Sequence, residues 1–265
     1  MLEPELKEEI ERLEGFNKYN VLVGRLRAFR FVQDIDEDER DTRLKGTPKC
    51  LIGRIFADFK DMYSPNGNLL KPFKVPTDWP VVAMIDWHPS ERQAIAFMGV
   101  DKIGNDYQFG EVWEHLGNEE IADEVIRRKK QGYRITKAYI DRLSKGDNSY
   151  NQNRYGKHKS SYDIIAERLR RAGVQLFEQS RAKDSGVKII KTKLSRPNKI
   201  PVFFIFDTCQ RTRYEVKRYV YEDGAYPDKD DHFMQNWYSY ANIGLKYTPV
   251  QETKPHYHTE VAGVA

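Results

Sequence analysis

From Val81 onward the chain sets three strand-like runs in a row before any helical pattern appears, and that order restricts the fold more than any other feature of the sequence. The runs are VVAMID (81–86), ERQAIAFMGVD (91–101) and DYQFGEVWEHL (106–116), with a tight turn at KIGND between the last two. Strands joined by short turns pair antiparallel, as a meander. The grammar then changes. Asn118 is placed to cap a helix, EEIADEVIRRKKQG, and ITKAYID (135–141) follows as a strand. Helix SYDIIAERLRRAG, strand VQLFEQ, helix DSGVKIIKTKLS and strand PVFFIFD (201–207) come next, and two helices, RTRYEVKRYVY and DDHFMQNWYSYANIG, close the series. Strands that alternate with helices build parallel units. The expected architecture is α/β: a mixed sheet, an antiparallel three-strand meander plus parallel strands, with helices on both faces.

Upstream, residues 1–45 read as a helical and irregular extension, and 46–80 as a linker with a short strand at LIGRIFADF (51–59). SPNGN marks a turn, and three prolines in KPFKVPTDWP exclude a helix there. The main domain is expected over 81–250, with a tail at 251–265.

No apolar run approaches the length of a membrane span, and the acidic start MLEPELKEEIERLEG is no signal peptide. Cys50 and Cys209 form no CxxC pair, which argues against a zinc site and a disulfide framework. The net charge of +4 says little about nucleic acid, but its distribution says more. Arg127, Arg128, Lys129, Lys130, Arg134, Lys137, Arg142 and Lys145 surround Asp141, and Lys157, His158 and Lys159 follow. Such a surround suits a phosphodiester substrate; it also suits a solvated helix face followed by a loop, the polar stretch 145–161.

Three apolar strands end in an acid: Asp86, Asp141 and Asp207. Acids at the carboxyl ends of neighbouring strands converge in one crevice. Two close carboxylates repel unless something positive lies between them, and an oxygen-rich pair favours Mg²⁺ or Mn²⁺. A third acid could come from DKDDHFMQNW (228–237), although acids at a helix start are also ordinary capping material.

The segment IPVFFIFDTCQRTRYEVKRYVY…DKDDHFMQNWYSY resembles the closing part of the large terminase subunit of tailed bacteriophages. IGRIFADF…KPFKVPTDWP resembles that family's linker, AMIDWHPSERQAIAF and AYIDRLSKGD its first and second catalytic strands, and QSRAKDSGVKIIKTKL the stretch before its last strand. The resemblance covers about residues 45–245. It implies an RNase H-like nuclease domain that cuts concatemeric viral DNA with two divalent ions, Mg²⁺ or Mn²⁺. By position, Asp86 and Asp141 match the first two metal-binding acids, and His232 matches the histidine of the third motif. The family often has an acid three residues after that histidine; here Gln235 stands there. Asp231 lies one helical turn before Gln235 and is the expected third acid, with Asp230 next. The expected catalytic set is Asp86, Asp141, Asp231 and His232, with Gln235, Asp207 and His88 as neighbours. Glu111 and Glu114 are expected on the surface. Arg128, Lys129, Lys130, Arg142, Lys145, Lys157, Lys159 and Lys183 are the expected DNA contacts.

The resemblance also implies double-stranded DNA, an ATPase domain, a small terminase subunit and the portal protein as partners, in the cytoplasm of the infected bacterium. The chain has no G-x-x-x-x-G-K-S/T motif, so no ATP hydrolysis is expected of it. Residues 1–45 are then the end of an ATPase half or a helix that docks on one. Two rivals stay open: another RNase H-like enzyme of resolvase or transposase type, and a DNA-binding or docking module whose third acid is lost to Gln235.

Overall fold

A computed structural model describes residues 53–146, 159–195, 200–222 and 224–249, all within the unit that begins at Gly53. The extension 1–45, most of the loop 145–161 with Lys157, and the tail 251–265 lie outside the described residues.

The strands are β1 (Leu69–Leu70), β2 (Pro80–Asp86), β3 (Gln93–Val100), β4 (Asp106–Glu114), β5 (Arg134–Ile140), β6 (Gln175–Glu178) and β7 (Phe203–Phe206). The helices are α1 (Asn118–Lys130), α2 (Ser161–Arg171), α3 (Lys183–Leu194), α4 (Gln210–Arg218) and α5 (His232–Ile243), and a 3-10 turn spans Arg142–Lys145. One seven-stranded sheet has the order β1-β7-β4-β3-β2-β5-β6. The expected meander forms: Asp86 pairs with Ala94 across β2 and β3, and Gln93 with Glu114 across β3 and β4. β3 alone runs against the rest, because β5, β6, β7 and β1 all join in parallel.

Right-handed crossovers decide which face each helix covers. β4-α1-β5 and β5-α2-β6 step the same way along the sheet, so α1 and α2 share a face and pack on each other. β6-α3-β7 steps back, which sends α3 to the other face, where it packs on α5. Covered on both sides, β3 is buried along its whole length. The helix α5 inserts Phe233, Met234, Trp237, Tyr240 and Ala241, a stripe at helical spacing, into that core.

Two local expectations fail. LIGRIFADF is no strand where it is described: residues 55–58 turn, and Arg54 forms an isolated bridge to Val220 in place of a strand ladder. Ile55, Phe56 and Phe59 are buried together, a spacing that suits a turn and not the alternation of a strand. The cap of α1 is Gly117, whose N–H donates to Glu120. Asn118 instead links Trp87 Nε1 to Ser161 Oγ, tying β2 to both helices of that face.

Candidate active site

β2 and β5 are adjacent and parallel, so the residues that end them, Asp86 and Asp141, meet at one edge of the sheet. The Asp141 N–H donates to the Ile85 carbonyl, which continues the pairing to the acids themselves. Gln235 reaches down from the first turns of α5 and its Nε2 lies 3.0 Å from Asp86 Oδ1 and 2.7 Å from Asp141 Oδ2. His232 Nδ1 lies 2.7 Å from Asp86 Oδ2, and the Leu143 N–H donates to Asp141 Oδ1 at 2.6 Å. Burial raises the Asp86 pKa; the His232 bond opposes this and the Asp141 and Asp231 charges add to it. Burial lowers that of His232, but the bond to Asp86 and the charges of Asp86, Glu215 and Asp231 outweigh it and leave it raised. His232 therefore holds its proton more readily beside Asp86 than it would without it.

The acids that open DKDDHFMQNW go elsewhere. Asp231 is the N-cap by position, but its carboxylate makes no capping bond; it faces Lys183 Nζ at 3.3 Å. Asp230 takes a left-handed backbone, φ 52, and pairs with Arg211 at 2.6 Å. The first turn of α5 is capped from a distance: Glu215 on α4, fully buried, accepts the Phe233 N–H at 2.7 Å and pairs with Arg211 at 2.9 Å. Burial pushes the Glu215 carboxyl up to about 7. Glu111, expected on the surface, caps α4 in the same way by accepting from Arg211 N, Thr212 N and Thr212 Oγ1. A relay of remote caps thus runs from β4 through α4 to the helix that carries His232 and Gln235. Its trace in the sequence is negative: neither TCQRTR nor DDHF has a side chain that caps its own helix.

Three further features lock α5 in register. Asn236 Nδ2 donates to the Ala94 carbonyl, and Trp237 Nε1 donates to Gln108 Oε1. Gly186 of α3 lies against the α5 backbone so closely that a Cβ there would stand 2.1 Å from the Tyr238 carbonyl oxygen.

The remaining candidates separate. Asp207 ends β7 on the same edge, but β4 and β3 intervene, which sets it about 14 Å from Asp86. It bonds Lys71 and Tyr63, each at 2.8 Å, and is no neighbour of the acid pair. His88 Nδ1 accepts from Ser90 and Glu91 N–H groups and shapes the β2–β3 turn, away from the pair. Trp87 is buried, and Glu114 is exposed as expected. Arg128, Lys129 and Lys130 occupy the last turn of α1, which descends about 20 Å from the β4 carboxyl end to the edge where β5 begins. They therefore stand at the opposite edge from Asp86: Arg128 pairs with Glu124 and covers Phe97, and Lys129 donates to the Gly173 carbonyl. Arg142, Lys145, Lys159 and Lys183 remain on the acid edge. The first two face Glu178 and Lys159 faces Glu167. Lys183 sits over the rings of Tyr219, Tyr226 and Tyr238.

Asp86 and Asp141 are oxygen donors of the kind a hard cation takes, and two carboxylates completed by water would suffice to hold one Mg²⁺ or Mn²⁺. For a second ion the donor set is short, since Asp231 and Asp230 are engaged by Lys183 and Arg211. Among the described residues no group of three or more His, Cys, Asp and Glu is arranged to hold a metal.

A mixed sheet with one reversed strand, helices on both faces and two strand-end carboxylates under a closing helix has the RNase H-like fold. Among solved structures it is similar to the nuclease domain of the bacteriophage P22 large terminase, with TM-score 0.51 and 15% identity over 72% of this chain and 93% of that one. It is also similar to a large terminase from a thermophilic bacteriophage, bound to ADP (TM-score 0.53, 15% identity, 72% of this chain and 44% of that one) and to ATP-gamma-S (0.53, 13%, 78% and 52%). The chain thus spans nearly all of the P22 domain and about half of the thermophilic phage protein. No protein-family model and no curated protein matches its sequence.

Proposed function

We propose that this chain is the nuclease part of a large-terminase-type packaging protein: a divalent-cation-dependent endodeoxyribonuclease that cuts concatemeric viral DNA. The observation that carries the reading is the meeting of Asp86 and Asp141 at the end of adjacent parallel strands, under a helix fixed by remote caps. The likeness in fold to large terminases supports it. Asp86 and Asp141 hold the cation, Mg²⁺ or Mn²⁺. A bound divalent ion supplies a polarised phosphoryl oxygen and an acidified water. His232 orients Asp86 through Oδ2 and stores a proton beside it. Lys183, Arg142, Lys145 and Lys159 hold the phosphate backbone without reading bases. Asp231 serves a second ion only by leaving Lys183. On this reading the chain works in the cytoplasm of the infected bacterium, on double-stranded DNA, beside an ATPase domain, a small terminase subunit and a portal.

The test is plasmid cleavage by the purified chain with Mn²⁺, Mg²⁺ or EDTA, alongside Asp86→Ala and Asp141→Ala. Metal-dependent nicking and linearisation that both variants lose is the expected result. Cleavage that persists in either variant removes the proposed centre. DNA binding without cleavage under any metal favours a docking module, a reading that the Gln235 amide between the two acids also supports.

A further inference from the structure

Each of the four carboxylate oxygens of Asp86 and Asp141 has a hydrogen-bonding partner from the chain itself. Gln235 Nε2 serves Asp86 Oδ1 and Asp141 Oδ2, His232 Nδ1 faces Asp86 Oδ2, and the Leu143 N–H serves Asp141 Oδ1. The His232 and Leu143 bonds are compatible with a bound ion, because each carboxylate keeps a free lone pair on the oxygen concerned. The Gln235 amide is different. A single NH₂ group lies between the two acids and occupies the ground where one cation would bridge them.

We infer that Gln235 is a displaceable latch, which rests on the reading of Asp86 and Asp141 as cation ligands: its amide holds the two acids together in the metal-free protein and must swing out for the ion to enter. The residue is built for this. It is partly exposed while Phe233, Met234, Asn236 and Trp237 around it are buried. Its backbone is fixed by the helix, with its N–H donating to the Asp231 carbonyl at 2.7 Å, so only the side chain has to move. An amide is also a weak occupant. It carries partial positive charge on its N–H groups and no net charge, so it screens the pair without forming an ion pair that a metal could not break. A lysine in that place would shut the site, and a carboxylate would leave three like charges together until metal arrived. Glutamine gives a site that is folded when empty and that fills only when the cation concentration is high enough to displace two hydrogen bonds.

Calorimetric titration of Mn²⁺ into wild type, Gln235→Ala and Gln235→Glu at about pH 8, where carboxylates are ionised, tests the latch. Thermal melts in EDTA accompany it. Both variants should melt below wild type in EDTA, and both should bind Mn²⁺ more tightly, Gln235→Glu by about tenfold or more through its added charge. Mn²⁺ binding by Gln235→Ala that is equal to or weaker than wild type overturns the latch even if wild type cleaves DNA, because the amide is then a bystander or a ligand. Binding by neither wild type nor variants overturns the cation reading of the acid pair, and the latch with it.

Discussion

Asp86 and Asp106 are both buried strand acids whose carboxyl pKa is raised by burial, yet they are neutralised in opposite ways. Asp106, where β4 begins, pairs with Lys193 at 2.6 Å and accepts from Tyr240 Oη at 2.6 Å. The chain answers this charge with a full charge of its own, and the network is closed. Asp86, at the other edge, receives an amide, an imidazole that can shed its proton, and a second carboxylate as neighbour. Its partners are weak or changeable, which is poor design for stability and good design for accepting something from outside. On the proposed reading, the contrast separates an acid that holds the fold from one kept available.

Exchange of roles between the two sites would break that contrast. Asp86→Ala should lower metal-dependent cleavage about 1,000-fold or more while the melting temperature stays within a few degrees. Lys193→Ala should do the reverse, costing about 3 kcal/mol in denaturant melts because it strands a buried charge, with cleavage per folded molecule unchanged. Gly186→Ala tests how closely α5 must approach α3. A Cβ 2.1 Å from the Tyr238 carbonyl oxygen forces the helices apart, which should cost about 2–3 kcal/mol and reduce cleavage too, since Gln235 and His232 ride on α5.

A smaller effect is expected in pH dependence. Glu215 holds its proton up to about 7 in the folded chain against an ordinary 4.5. Between these values the folded state binds a proton that the unfolded state has released, so stability falls as pH rises through the window. Glu215→Gln cannot titrate, and its melting temperature should vary less over that range than wild type's. Parallel melts would show that Glu215 carries no proton there. Smallest of all are the surface charges. Arg142→Glu with Lys145→Glu should flatten the salt dependence of DNA binding by about one unit of slope for each phosphate left without its cationic partner. Lys130→Glu, at the opposite edge, should leave it unchanged.

The strand-end acids were legible because a buried strand is a short apolar run and the residue after it must leave the sheet; VVAMID and ITKAYID carry that message locally. Helical spacing puts 231 and 235 on one face, but Asp231 stands at the non-helical cap position and turns to Lys183 while Gln235 meets the acids. Which of them meets the acids was not legible. It depends on Lys183, 48 residues from Asp231, and on Asp230 turning through a left-handed conformation that aspartate tolerates without announcing. The run of charge at 127–130 misled for a topological reason: neighbours of Asp141 in sequence end up at the far edge because a helix of 13 residues carries them there. β1 has two residues and no pattern to read.

The separation in sequence between the acids and their partners has a consequence for synthesis. Gln235 follows Asp141 by 94 residues, and His232 follows Asp86 by 146. At a ribosomal pace of about 5–20 residues per second, the second acid leaves the peptidyl-transferase centre roughly 5–20 s before the glutamine that bridges it is made. Through that interval the nascent chain carries the two acids without the helix that brings His232 and Gln235 to them. The edge that holds Asp86 and Asp141 is therefore completed only with the last described helix, after every strand of the sheet has been made.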